Sequence, residues 1–215
     1  MKRDMARRRR CFVEGVSWHV TQRGVERGPI FRSTSDYTVF IAVLRQECQR
    51  CNLQVHTYVL MRNHVHLLAT PASSRSLPEA MQGIGRWYVP FFNRRYNRKG
   101  TLWEGRYKPA LVHDERYWLT CMRYIEMNPV RAGIVETPEQ YRWSSYPHHA
   151  FGRPDPLVTD HPLYLALGPT PEIRQLAWQQ LCGQPIAPDQ LESLRKAIRL
   201  GILIGEPGSS EVESL

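Results

Sequence analysis

Apolar and polar residues alternate through residues 16–23 (Val-Ser-Trp-His-Val-Thr-Gln-Arg). That period of two, rich in β-forming types, predicts a strand ending at Gly24. The period lengthens over 35–50, where Phe40, Ile41, Val43 and Leu44 gather on one side of a predicted helix. Ser33, Thr34 or Ser35 could cap it. Residues 53–61 and 64–70 are two further apolar runs separated only by the turn at Asn63, and they read as a tight β-hairpin.

A weaker helical pattern follows over 77–96, interrupted by Gly83, Gly85 and Pro90. Residues 107–113 predict a fourth strand. Residues 115–127 predict a third helix that ends near Asn128, because the residue before Pro129 is pushed out of the helical region. The order β-α-β-β-α-β-α argues for an α+β fold, a ferredoxin-like antiparallel sheet with helices on one face. Beyond Ala150, several Pro and Gly residues set off a predicted helical tail over roughly 170–200. The expected organisation is a basic disordered arm at 1–11, one catalytic domain at 12–150, and a C-terminal helical extension at 151–215.

Length and composition narrow the class. At 215 residues with 42% hydrophobic content, the chain can bury a sizeable core. No apolar run approaches the ~20 residues of a membrane helix, and no apolar stretch follows the basic start as in a signal peptide. A cytoplasmic, nucleoid-associated protein is expected. The five cysteines are odd in number and scattered, which suits reduced thiols rather than a disulfide framework. Cys48 and Cys51 form a lone C-x-x-C with no second pair at zinc-ribbon spacing, so they read as two thiols at a helix end.

Charge changes the picture more. The chain carries +9 overall, but residues 1–131 hold 23 Lys and Arg against 10 Asp and Glu, whereas residues 132–215 hold 6 against 10. A basic body with a mildly acidic tail points to a polyanionic partner. Its densest stretch contains Arg86, Arg94, Arg95, Arg98, Lys99, Arg106 and Lys108, interleaved with Trp87, Tyr88, Phe91, Phe92, Tyr96, Trp103 and Tyr107. Cations can meet backbone phosphates while rings stack on unpaired bases at roughly 1–3 kcal/mol each. Some of these rings are expected in the core. Arg23 and the arginine run at 7–10 add to the same cationic character, the run as a nonspecific arm.

Two pairs of residues carry candidate chemistry. His64 and His66, two apart on a strand, point to one face with Val65 behind them in the core, and two imidazoles so placed can hold one divalent metal. Tyr124 and Asn128, four apart on a helix, share a face and offer a phenol and a neutral oxygen ligand. Each pair alone fits ordinary packing or capping better than it fits a site. Together they make sense as metal-assisted attack of a tyrosine on phosphorus, since a phenol with a pKa near 10 needs that assistance at neutral pH. Tyrosine attack conserves the bond energy of the broken phosphodiester, so the chemistry is strand transfer rather than degradation.

Several stretches, in order, resemble one family, the REP-associated tyrosine transposases, a branch of the HUH single-strand transposases. They are Trp18-His-Val-Thr-Gln-Arg-Gly24, Tyr58-Val-Leu-Met-Arg-Asn-His-Val-His-Leu-Leu68 and Phe92-Asn-Arg-Arg95, then Leu102-Trp-Glu-Gly-Arg-Tyr-Lys108, Tyr124-Ile-Glu-Met-Asn-Pro-Val-Arg-Ala-Gly-Ile134 and Trp143-Ser-Ser-Tyr146. They cover roughly residues 12–150. The resemblance implies His64 and His66 as ligands of Mg²⁺ or Mn²⁺, Asn128 as the helix-borne third ligand, and Tyr124 as the nucleophile. It also implies single-stranded DNA cut beside a short REP-like hairpin, leaving a 5′-phosphotyrosine and a 3′-hydroxyl, with Arg106 and Lys108 in a motif expected to contact DNA. Where the family often has proline before Asn63, this chain has Arg62, which adds a cation at the edge of the metal site.

A monomer is expected, with a dimer as the alternative. Three other readings compete: a replication or plasmid-transfer nickase, a catalytically idle hairpin-binding regulator, and a zinc-structural protein using Cys48, Cys51 and the histidines. The intact set His64, His66, Tyr124 and Asn128 argues against an idle module, and the lack of a helicase or long relaxase domain argues against a nickase.

Overall fold

The computed structural model describes residues 12–201, so the arginine run at 7–10 and the last residues of the chain lie outside the described residues. Four strands form one antiparallel sheet: β1 (Ser17–Arg23), β2 (Leu53–Met61), β3 (His64–Pro71) and β4 (Lys108–Val112). Their spatial order is β2-β3-β1-β4. β2 and β3 meet through the two-residue turn Arg62-Asn63, with Met61 opposite His64. β1 inserts beside β3, pairing Thr21 with His66 and Arg23 with His64. This is the ferredoxin-like layout that the element order predicts.

The first two helices cover one face of the sheet. α1 (Thr34–Arg50) starts at Ser33 with a reciprocal capping box to Asp36, one of the three cap candidates. It buries Phe40, Leu44 and Cys48 against Val20, Leu60, Val65 and Leu67. α2 (Ser76–Arg95) runs unbroken through Pro90, which sits on its exposed side. A proline inside a helix costs about 3 kcal/mol, but Ile84, Tyr88 and Phe92 are fully packed on either side of it and hold the helix straight through. Gly83 is a place of close approach: a Cβ there would stand 1.9 Å from the Glu47 carboxylate of α1. The glycine that weakens the helical pattern is thus what lets α1 and α2 pack together.

The opposite face is covered as well, which corrects the expectation of helices on one face. α3 (Glu115–Glu126) lays Tyr117, Trp118, Cys121, Met122 and Ile125 on Val59, Met61, Leu68, Ala110 and Val112. β2 and β3 are apolar on both sides, so the sheet has two faces to bury, and a single helical layer would leave one exposed to water. After α3 come the short helices α4 (Asn128–Arg131), α5 (Tyr146–Phe151) and α6 (Pro162–Leu165), then α7 (Pro171–Gly183) and α8 (Pro188–Leu200). The predicted tail is helical in two pieces. It packs into this second core through Trp178, Cys182, Leu194 and Ala197.

A buried carboxylate ties this layer together. Glu126, at the end of α3, accepts from Thr57 Oγ1 at 2.9 Å, Ser145 Oγ at 2.5 Å, His149 Nδ1 at 2.7 Å and Trp178 Nε1 at 2.8 Å. Burial pushes its carboxyl upward, and His149 with the hydroxyl and indole donors outweighs that, holding it below its ordinary value. A charge so placed is tolerable because four donors answer it, three on Oε1 and one on Oε2.

Candidate active site

His64 and His66 project from β3 toward α3, because their side chains lie on the sheet face opposite Val65, which is fully buried among α1 and α2. Their rings stand 4.9 Å apart at 84°. His64 turns its Nδ1 to Oδ1 of Asn63 at 2.7 Å, and Asn63 is itself fastened to the Arg27 carbonyl through Nδ2 at 2.9 Å. His66 sets its Nδ1 against Nε2 of His19 at 2.8 Å and Oγ1 of Thr21 at 3.1 Å. In both rings the hydrogen-bonded nitrogen is Nδ1, which leaves Nε2 for a metal.

Electrostatics favour the same use. Burial, reinforced by the Arg23 charge, pulls the His64 pKa to about 4. His66 is drawn well below its ordinary value, chiefly by burial. Both rings are neutral at physiological pH, the form that binds a cation.

Tyr124 occupies the last turn of α3, half-buried, with its ring 6.0 Å from that of His66 and nearly perpendicular to it. The helix breaks at Met127, one residue earlier than expected, and α4 restarts at Asn128 with Pro129 in its first turn, where a missing N–H costs nothing. The break is slight, and Asn128 still faces the cavity beside Tyr124. Arg131, one turn further on, folds back over the tyrosine. Its guanidinium carbon lies 4.1 Å from the ring centroid, and Nη2 donates to the Tyr124 carbonyl at 2.5 Å. Burial lowers the Arg131 pKa to about 10, so it remains a cation at neutral pH, and its Nη1 has no hydrogen-bond partner among the described residues.

His64, His66, Tyr124 and Asn128 open into one cavity of about 670 Å³, whose walls, among the described residues, carry Arg23, Arg27, Arg106, Lys108, Arg195 and Arg199 against a single acid, Glu104. The set His64, His66, Tyr124, Asn128, Arg23, Arg106 and Lys108, singled out from the sequence, is therefore brought together. Two imidazoles and an amide oxygen suit a divalent cation that keeps open positions for phosphate oxygens. The six cations suit a polyphosphate strand.

The cations of α2 and the turn after it do not line this cavity. Arg86, Arg94 and Lys99 are exposed on another part of the surface, Arg95 reaches the buried Asp36 at 3.5 Å, and Arg98 lies over the Phe92 ring. Among the interleaved rings, Tyr88 and Phe92 are core, while Trp87 is 63% exposed. Arg62 also lies away from the cavity wall, despite its place beside Asn63. Cys48 and Cys51 belong to the core on the α1 face of the sheet, away from the histidines, so a zinc centre joining them is ruled out.

Sequence reasoning missed His19, Asn63, Arg131, Arg195 and Arg199. Period two along β1 puts His19 on the same face as Thr21, a signal available beforehand. Arg195 and Arg199 are one turn apart on a helix, but nothing in their spacing says that α8 comes back to β4.

The family described as IS200-like transposases matches residues 12–128, more than half of the chain. A Haemophilus influenzae protein named as a REP-associated tyrosine transposase is 23% identical over 177 residues, spanning 70% of this chain and 96% of that protein. Among solved structures, a REP-associated tyrosine transposase bound to a REP hairpin superposes with a TM-score of 0.54 at 19% identity, covering 74% of this chain and 96% of that one. A transposase from Deinococcus radiodurans gives a TM-score of 0.40 at 18% identity, over 55% of this chain and 95% of that one.

Proposed function

This chain belongs to the IS200-like transposase family, and on that premise we propose that it cuts and rejoins single-stranded DNA beside short REP-type hairpins, through a 5′-phosphotyrosine formed on Tyr124. The observation that carries this reading is the meeting, in one strongly basic cavity, of Tyr124 from α3 and Asn128 from α4 with His64 and His66 from β3. Similarity to a protein solved on a REP hairpin supports the substrate class.

Each residue has a role in this reading. His64 and His66, through Nε2, and Asn128, through its amide oxygen, would hold Mg²⁺ or Mn²⁺. The bound ion would polarise the scissile phosphate and stabilise charge developing on it. Arg23, Arg106 and Lys108 bind the flanking phosphates and orient the strand. The Tyr124 oxygen attacks phosphorus as its proton passes to solvent. The bond from phosphorus to the 3′ oxygen breaks, and that oxygen takes up a proton as a free hydroxyl. Arg131, over the ring, favours negative charge on the attacking phenol oxygen. Resealing reverses the step: a 3′-hydroxyl attacks the phosphotyrosine and the phenol leaves.

The test is incubation with 5′- and 3′-labelled hairpin oligonucleotides from palindromic repeats flanking the gene, with Mg²⁺ or Mn²⁺, read on denaturing gels beside Tyr124→Phe. A covalent adduct that needs both metal and Tyr124 is the expected result. Binding with no adduct under either metal, in wild type and variant alike, would replace this reading with a hairpin-binding regulator that has no strand-transfer activity.

A further inference from the structure

Three side chains outside the cavity converge on one point. His148 and His149 lie on α5, and Asp160 lies just before α6. His148 Nε2 stands 3.0 Å from Asp160 Oδ1, and His149 Nε2 stands 3.9 Å from the same oxygen. One ligand atom from each of the three falls within 4.8 Å of the others.

The remaining ring nitrogens are already engaged, and their partners fix where the hydrogens sit. His148 Nδ1 is 3.1 Å from the carbonyl oxygen of Arg153, which can only accept. His149 Nδ1 is 2.7 Å from Oε1 of the buried Glu126 carboxylate. Each Nδ1 therefore carries the hydrogen, and each neutral ring presents an Nε2 lone pair to an anionic carboxylate. Three acceptors face one another with no donor between them. A cation must fill that gap, either a proton shared with Asp160 or a metal ion.

We propose that His148 Nε2, His149 Nε2 and the Asp160 carboxylate bind one divalent transition-metal ion, of the zinc class, at a structural site separate from the cavity. Two imidazoles and one carboxylate are the donors that an ion of the zinc class takes. Glu126, His149 and the metal would form a carboxylate–histidine–metal triad, the arrangement that orients a ligating ring and raises its basicity. The His148 side chain is 21% exposed and that of Asp160 33%, which leaves an entry path and room for water as a fourth ligand. Ligand atoms around a tetrahedral zinc stand about 3.3 Å apart, so small rotations of the His148 and Asp160 side chains bring the three donors to that spacing.

The ion would clip α5 to the chain before α6. That chain already pairs with β2 through the Val158 bridge to Val55. Through His149 and Glu126 the clip reaches the end of α3, two residues beyond Tyr124. It braces the helix that carries the tyrosine and takes no part in the reaction.

The test uses the full chain without a histidine tag, carrying His64→Ala and His66→Ala to remove the cavity metal from the count. After stripping with EDTA and dialysis against limiting Zn²⁺, bound zinc is measured by atomic emission and the melting temperature is recorded with and without zinc. One zinc per chain and a rise of several degrees in Tm are expected. Adding His148→Ala, or the milder Asp160→Asn should the first fail to fold by circular dichroism, abolishes both. A double variant that keeps no zinc would mean that a proton fills the gap, and retention of zinc after loss of His148 or Asp160 would place the ion elsewhere; either result overturns the proposal.

Discussion

The rings of His66 and His19 lie nearly parallel, at 13° with centroids 4.9 Å apart, and their Nδ1 and Nε2 meet at 2.8 Å. For His66 to offer Nε2 to a metal it must keep its hydrogen on Nδ1, so His19 accepts that hydrogen and holds the ring in place. Burial draws the His19 pKa to about 3, so it stays an acceptor across the physiological range. His19 is therefore a positioning residue for the candidate metal site. His19→Ala should weaken the metal dependence of cleavage about 10–100-fold, the usual effect of losing a partner behind a metal-bound histidine, with hairpin affinity in EDTA unchanged. Titration of Mn²⁺ against cleavage rate measures this, and an unchanged midpoint removes His19 from that role.

Replacing His64 or His66 by alanine should abolish metal-dependent cleavage and leave DNA binding largely intact. The comparison is adduct formation against electrophoretic mobility shift on one oligonucleotide. Cleavage at the wild-type rate in either variant would sink the metal assignment.

Arg131 holds the backbone and the ring of Tyr124 at once. Arg131→Lys keeps the charge but gives up the planar stacking and the second nitrogen. Those interactions are worth about 1–2 kcal/mol, so adduct formation should slow roughly tenfold or more under saturating DNA. Single-turnover kinetics give the number, and a wild-type rate would reduce Arg131 to a structural brace.

Arg106 lies on the cavity wall, whereas Arg94 sits on α2 away from it. Each single change to alanine should lower the salt slope of binding by about 0.7 for every single-strand phosphate that the side chain neutralises. Only Arg106→Ala should also lower the cleavage rate of bound DNA. If Arg94→Ala leaves the slope at its wild-type value, the α2 face is not part of the interface.

The metal-free protein should lose stability as pH falls. His19 is drawn to about 3, and His56 and His64 to about 4, in each case mainly by burial. In the unfolded chain these rings take up protons near pH 6.5. Their contribution is therefore complete above pH 6.5 and is lost progressively toward pH 4, at up to about 1.4 kcal/mol per pH unit for each ring. His148, raised mainly by its hydrogen bond to Asp160, works in the opposite direction and offsets part of the loss. Urea unfolding at pH 7 and pH 5 in EDTA tests the balance, and equal midpoints would contradict it.

Periodicity was sufficient to read β1 and α1 from the chain, whereas the β2–β3 hairpin was legible from two β-rich apolar runs on either side of the turn at Asn63, and the end of α3 from Pro129. The same local rules put His64 beside His66 and Tyr124 beside Asn128, since neighbours on a strand face or a helix face are determined by spacing alone. Bringing the two pairs together was a chemical inference, and geometry within one element could not supply it. That meeting depends on α3 crossing the face of the sheet opposite α1 and α2, a choice made by burying the second apolar face of β2 and β3. His19 behind His66, Arg131 over Tyr124 and the cations of α8 depend on the same packing, as does the Glu126 network that holds it. Spacing along the chain sets the elements and the chemistry each one carries; which of them share a cavity is a matter of packing, because burial is satisfied by surfaces far apart in the chain, and no local period records which surface meets which.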